Sequence, residues 1–212
     1  LTAFSVLGLA VGTALPASAV TINDGSIPPF AFPSLAPDAI NIGFENDTSG
    51  FKPNGFSSVD SNLVSFADSN GDDLFIGDFG TQSIGQGLAI LINDDSKLEI
   101  DFAVDFEEIT FAFGNDDPSF IQDPNAVAVL ELFKDGNLVD TVTKPLNLND
   151  DMDQGIHYSG ADFNSATFFY ADSFGTPESI DETVDNFILI PTSEPIPFEA
   201  EGTMGLAALG GY

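Results

Sequence analysis

The stretch Leu98-Glu99-Ile100-Asp101-Phe102-Ala103-Val104-Asp105-Phe106-Glu107-Glu108-Ile109-Thr110-Phe111-Ala112-Phe113 decides how this chain is read. Apolar side chains fall on even positions from Leu98 to Phe102 and on odd positions from Ile109 to Phe113. Each half has the two-residue period of a strand with one buried face. Between them the phase slips by one residue, and such a slip turns a strand inside out unless a bulge intervenes. The segment is therefore one bent strand, or two strands meeting at a corner near Glu107-Glu108.

The same signal recurs on both sides. Strands are expected at Ile40 to Phe44, Leu63 to Phe66, Leu88 to Ile92, Val127 to Phe133, Leu138 to Val142, Ala166 to Tyr170 and Val184 to Ile190. Lys134-Asp135-Gly136-Asn137 joins two of them, and Asp-Gly tolerates the positive φ of a tight hairpin turn. The other connections are rich in Asn, Asp and Gly, whose short side chains bond nearby amides. No helical periodicity holds for three turns. The expected fold is all-β, an antiparallel β-sandwich of jelly-roll type over residues 40–190, preceded by an extended, proline-bearing lead-in over 20–39.

Composition narrows the chemistry. The chain of 212 residues has 34 Asp and Glu against four Lys and Arg, giving a formal charge of −30. The four are the lysines 52, 97, 134 and 144, all within the sandwich region. Such a polyanion repels phosphate backbones, so nucleic acid is excluded as a partner. There is no Cys, and His157 stands alone, so neither a disulfide framework, a thiolate site nor a zinc site can be built. Glycosidase chemistry needs two carboxylates facing one cleft. Glu107 and Glu108 are adjacent, and adjacent strand residues point to opposite faces. The chain is accordingly read as no enzyme, with a polysaccharide-active enzyme as the remotest alternative.

The ends read as addresses. Residues 1–19 carry an uncharged apolar run closed by Ala17-Ser18-Ala19, a small-x-small cleavage pattern, which reads as a signal peptide whose first residues are missing. Residues 191–212 begin with a proline-rich spacer, PTSEPIP, and end in an apolar run of 11 residues, too short for a bilayer, which takes about 20. The order Glu194-Pro195, Pro197-Phe198-Glu199, then Gly-rich apolar residues resembles the PEP-CTERM sorting tails of bacterial surface proteins, in their Pro-Phe-Glu variant. The resemblance implies export to the cell surface, an exosortase-type processing protease as partner, and membrane contact only through a C-terminal segment that is missing here.

Hard oxygen ligands from acidic turns suit Ca²⁺, which a secreted protein meets at millimolar levels. Asp68-x-Asn70-x-Asp72 has the alternate-oxygen spacing of a calcium loop, but Asp73 stands where Gly is needed and Phe79 where Glu is needed. A second pattern joins the two ends of the sandwich: Asn41-Ile42-Gly43-Phe44-Glu45 opens it and Val184-Asp185-Asn186-Phe187-Ile188 closes it. This pairing resembles the calcium-stabilised jelly-roll carbohydrate-binding modules. The resemblance implies that the two strands are neighbours and that Glu45 and Asp185 share a calcium ion. On the residues alone, Glu45 can equally cap a turn and Asp185 accept backbone hydrogen bonds.

Sugar binding needs aromatic faces beside polar groups. With no Trp, and with most Phe at inward strand phases, Tyr158 and Tyr170 are the candidate platforms, with His157 beside them. The leading expectation is a surface-sorted, calcium-dependent, structural or adhesive sandwich that contacts extracellular polysaccharide or a sister surface molecule. The alternative is a carbohydrate-binding module with a defined glycan ligand.

Overall fold

A computed structural model describes residues 38–71, 74–91, 95–114, 119–121 and 123–192. The stretch read as a signal peptide, most of the lead-in, nearly all of the stretch read as a sorting tail and part of the Asp68-to-Asp72 loop lie outside the described residues. Ten strands follow in order: β1 (Ile40–Ile42), β2 (Gly50–Phe51), β3 (Val64–Asp68), β4 (Leu74–Asp78), β5 (Gln86–Ile90), β6 (Leu98–Gly114), β7 (Val127–Lys134), β8 (Asn137–Pro145), β9 (Gln154–Ala171) and β10 (Thr183–Pro191). Among the described residues the single helical element is a 3₁₀ turn at Gly80–Gln82.

All pairings are antiparallel, and they form one continuous sheet that two long strands fold into a sandwich. The first half of β6 pairs with β3, and also with the second half of β9 from Leu98↔Phe168 to Asp101↔Ser165. Its second half pairs with β10 and with the first half of β9, from Glu108↔Ser159 to Phe113↔Gln154. Register shifts fall between Asp101 and Phe106 and between Phe106 and Glu108, so the phase slip read in the sequence is a bend in one strand. One layer is then β2-β4-β5-β10 with β1, which also pairs with β10, the second half of β6 and the first half of β9. The other holds β3, the first half of β6, the second half of β9, β7 and β8.

The core between the layers is aromatic. Phe44, Phe111 and Phe187 from one layer meet Phe66 and Phe168 from the other, with ring centroids 4.6 Å apart for Phe111–Phe187 and 4.9 Å for Phe111–Phe168. Each such pair contributes about 0.5–1.5 kcal/mol beyond the area it buries. The bend has its own aromatic packing, with Phe102, Phe106 and Phe163 in mutual contact.

The β7–β8 hairpin turns at Asp135 and Gly136, both with positive φ (50° and 76°), as the sequence predicts. β2, β4 and the first half of β9 were not expected from the sequence. Gly77 interrupts the period in β4, and Gly155 and Gly160 do so in β9.

The outer face of the first layer is paved with small residues and covered by loops. A Cβ on Gly114 would lie 2.8 Å from the Met152 Cα, and one on Gly87 would lie 3.2 Å from the Ser83 Cβ. The Met152 amide donates to the Thr81 carbonyl (2.7 Å) and the Gln82 amide group donates to Asp150 (2.7 Å), so the two loops lock to each other. This second covering is what buries the outward-pointing Asp185.

Candidate functional site

β10 changes neighbours halfway along one edge. Thr183 and Val184 pair with β5, whereas Phe187 to Leu189 pair with β1. Asp185 and Asn186 fall in the gap, at a register shift relative to β6, with Asn186 at φ 52°. Here the chain leaves β1 through Gly43, Phe44 and Glu45 and enters β5 through Ile84, Gly85 and Gln86. The opening and closing motifs of the sandwich are therefore brought together at one seam.

Both carboxylates are aimed at the same short segment. Asp185 is fully buried, and its two oxygens accept from the Ile84 amide (3.1 Å) and from the Asn186 amide (2.6 Å). Glu45 Oε1 accepts from the Gln86 amide (3.1 Å), while the Gln86 side-chain amide donates to the carbonyls of Phe44, Glu45 and Asp47. Gly85 sits between, at φ 83°, and a Cβ there would fall 1.9 Å from Glu45 Oε1. The glycine is thus a cradle for the Glu45 carboxylate.

The electrostatics at this seam are unbalanced. Burial, reinforced by the neighbouring Glu45 charge, pushes the Asp185 carboxyl up to about 7, against the two amides that hold it down. Among the described residues the ion pairs are Lys97–Glu131, Lys134–Asp105 and His157–Glu108, all away from the seam. Among the described residues no group of three or more His, Cys, Asp or Glu side chains converges. A cation held by Glu45 and Asp185 would complete its shell with carbonyl, amide and water oxygens, a donor set that fits a hard ion such as Ca²⁺ and not zinc. A cleft of about 320 Å³ opens beside the seam, lined in part by Asn41, Asn46, Asp60, Asn186 and Glu45.

The tyrosines correct the sequence reading. Tyr158 and Tyr170 are 1% and 0% exposed, so neither ring is a platform for a ligand. Tyr158 braces the bend of β9: its hydroxyl donates to the Ala161 carbonyl (3.1 Å) and its ring packs edge-on against Phe163. Tyr170 donates to the Gly114 carbonyl and packs between Phe113 and Phe168. His157, next to Tyr158 on β9, points out from the first layer, bonded through Nδ1 to Thr110 Oγ1 (2.7 Å) with Glu108 3.9 Å away. Once the tyrosines turn inward, His157 belongs to no shared site with them.

The face that does combine apolar and polar groups is the outside of β7, β8 and β9. Cross-strand register sets Phe169 beside Val129 and Val129 beside Thr143, and sets Thr167 beside Glu131 and Glu131 beside Thr141. Val129, Phe169 and Ala171 form an apolar cluster separate from the main core, with Val127 packed on it. Above this floor is a groove of about 420 Å³, walled by Asn125, Thr141, Thr143, Glu131, Asp172 and Ser173. The sequence carried a signal for it: Val127, Ala128, Val129 and Leu130 are apolar on both faces, as are Phe168, Phe169 and Tyr170.

No protein-family model matches the chain, and no curated protein matches it. Among solved structures, a DUF4465 family protein from Bacteroides caccae is 12% identical, with a TM-score of 0.46 over 73% of this chain and 99% of that one. CsCBM6-3 from Clostridium stercorarium, solved with cellobiose, is 14% identical, with a TM-score of 0.36 over 72% of this chain and 93% of that one. An arabinose-bound α-L-arabinofuranosidase, MgGH51, is 11% identical with a TM-score of 0.45 over 73% of this chain, which spans 27% of that enzyme. Carbohydrate-binding modules recur among these neighbours. Likeness at this level assigns no function to the chain.

Proposed function

We propose that this β-sandwich is a non-catalytic glycan-binding domain, exported to the cell surface and stabilised by calcium at the Glu45–Asp185 seam. One observation carries the binding role: the groove on β7, β8 and β9 sets threonine hydroxyls and amide and carboxylate oxygens around an apolar floor. Pyranose rings present an apolar face and a rim of hydroxyls, and a site of this composition meets both. With a formal charge of −30 on the chain, a neutral polysaccharide is favoured over an anionic one. Contact with such a polymer would give the domain its adhesive role in the extracellular layer.

Two carboxylates line the groove, and both are already bonded. Glu131 is bonded by Lys97 (3.3 Å) and Thr167 (2.9 Å), and Asp172 accepts from the Phe174 and Thr176 amides (2.8 Å each). Both already accept hydrogen bonds within the domain, which supports binding without turnover.

Thr141 and Thr143 are exposed, so both can be altered without loss of packing. Frontal affinity chromatography on columns of β-glucan, xylan, mannan and galactan is expected to retain the wild-type domain on at least one of them. The Thr141→Ala/Thr143→Ala variant is expected to bind that column about 5- to 30-fold more weakly, from two lost hydrogen bonds of about 1 kcal/mol each. Passage through all four columns unretarded rejects the glycan reading.

A further inference from the structure

The floor of the groove is not open. Phe169 is 3% exposed, and the Lys97 ammonium lies 3.8 Å from the centroid of its ring. The same ammonium pairs with Glu131 at 3.3 Å, and Thr167 donates to that same Glu131 oxygen at 2.9 Å. The position follows from register. Leu98 opens β6 opposite Phe168, so Lys97, one residue earlier, falls beside Phe169 on the outer face. Its backbone is fixed there, because the Lys97 amide donates to Ser69 Oγ (2.8 Å) and the Lys97 carbonyl accepts from the Ser69 amide (3.0 Å). The chain has four basic residues in all, and one of them covers the aromatic ring of the groove.

We propose that Lys97 and Glu131 form a latch on this groove, and that a neutral sugar ring occupies the Phe169 face only after the Lys97 side chain has swung away. The inference rests on the glycan-binding reading and deepens it, by naming the residue that governs access. A cation over a ring and a C–H face stacked on a ring use the same surface, so the two exclude each other. The latch is weak by construction. Its ion pair is about 30% exposed on both sides, and exposed pairs and cation–π contacts hold only modestly. Thermal opening is therefore frequent, and the flexible Lys97 side chain retracts into solvent with its backbone unmoved.

The latch makes an unusual prediction about salt. Screening weakens an exposed ion pair, whereas stacking of a neutral sugar needs no charge. Raising NaCl from 20 to 500 mM is expected to increase retention of the wild type on the neutral columns about two- to threefold. Lys97→Ala is expected to bind roughly 3- to 10-fold more tightly than wild type and to lose the salt response, as the loss of one pair and one cation–π contact implies. Equal or weaker binding by Lys97→Ala overturns the latch, since Lys97 would then be a bystander or a ligand contact.

A second measurement needs no glycan. In NMR spectra of the wild-type domain, the Lys97 ε-methylene protons should be shifted upfield by the Phe169 ring, and Glu131→Gln or 500 mM NaCl should move them back toward ordinary lysine values. An unshifted Lys97 in the wild type rejects the latch whatever the columns show. Upfield-shifted Lys97 protons with no retention of any variant reject the glycan reading and, with it, the role of the latch in sugar access, leaving only the Lys97–Phe169 contact.

Discussion

In EDTA, the melting temperature of the domain is expected to fall as the pH rises from 5 to 8, and millimolar Ca²⁺ is expected to restore it. The reason is Asp185. Its carboxyl is raised in the folded state to about 7, chiefly by burial, from an ordinary value near 3.8. Between these values the folded chain binds more protons than the unfolded one, so stability is fully present below about 4 and is lost as pH rises through about 7. The slope in that window is on the order of 1.4 kcal/mol per pH unit. For a domain of this size that corresponds to roughly 3–5 °C per unit.

A divalent cation at the seam reverses the balance, because the charged carboxylate becomes the favoured form. Calcium at about 100 times its dissociation constant would add about 2.7 kcal/mol, or roughly 5–10 °C, at pH 7.5. Asp185→Asn separates this group from the rest. Glu178, also raised by burial, adds a slope of the same sign, and Asp123, held down to about 2 by its bonds to Ser173 and Asn125, stays ionised throughout. Both cancel when the variant is subtracted from the wild type. Identical pH slopes in the two proteins would remove Asp185 as the titrating group, and the same melting temperature in EDTA and calcium would remove the seam as a cation site.

Gly85→Ala is the second large effect, expected to cost about 2–4 kcal/mol and roughly 5–15 °C. Two causes combine. An alanine at φ 83° pays about 1–2 kcal/mol for the left-handed backbone. Its Cβ would also stand 1.9 Å from Glu45 Oε1, driving that carboxylate off the Gln86 amide. Gly55 offers the control, since it has nearly the same φ, 80°, with nothing within 4 Å of a Cβ. Gly55→Ala should show the backbone cost alone. Adding Glu45→Ala to Gly85→Ala should bring the cost of the alanine down to that of Gly55→Ala, as a double-mutant cycle measures. If Gly85→Ala and Gly55→Ala cost the same in the wild-type background, the cradle has no energetic meaning.

How much of the site was legible can be judged from Asp185 and Phe169. The motifs around Glu45 and Asp185 stood out at both ends of the domain, and the fold brings them to one seam. The segment that both side chains hold, Ile84 to Gln86, carried no signal that tied it to either. The sequence does not single out Phe169, because β9 offers Phe168, Phe169 and Tyr170 in succession and alternation alone does not say which face is inward. The larger polar-tipped rings were the natural choice for a platform, yet Tyr158 and Tyr170 have the inward phase.

The sequence by itself determined the all-β class, the β7–β8 hairpin and the bend of β6, because a two-residue period, an Asp-Gly turn and a phase slip are all written in neighbouring residues. Only the tertiary structure decided that β10 exchanges β5 for β1 at Asp185, that loops bury this carboxylate, and that Lys97 lands on Phe169. Those outcomes depend on the register between strands distant in the chain, and register is set by how two layers pack against each other.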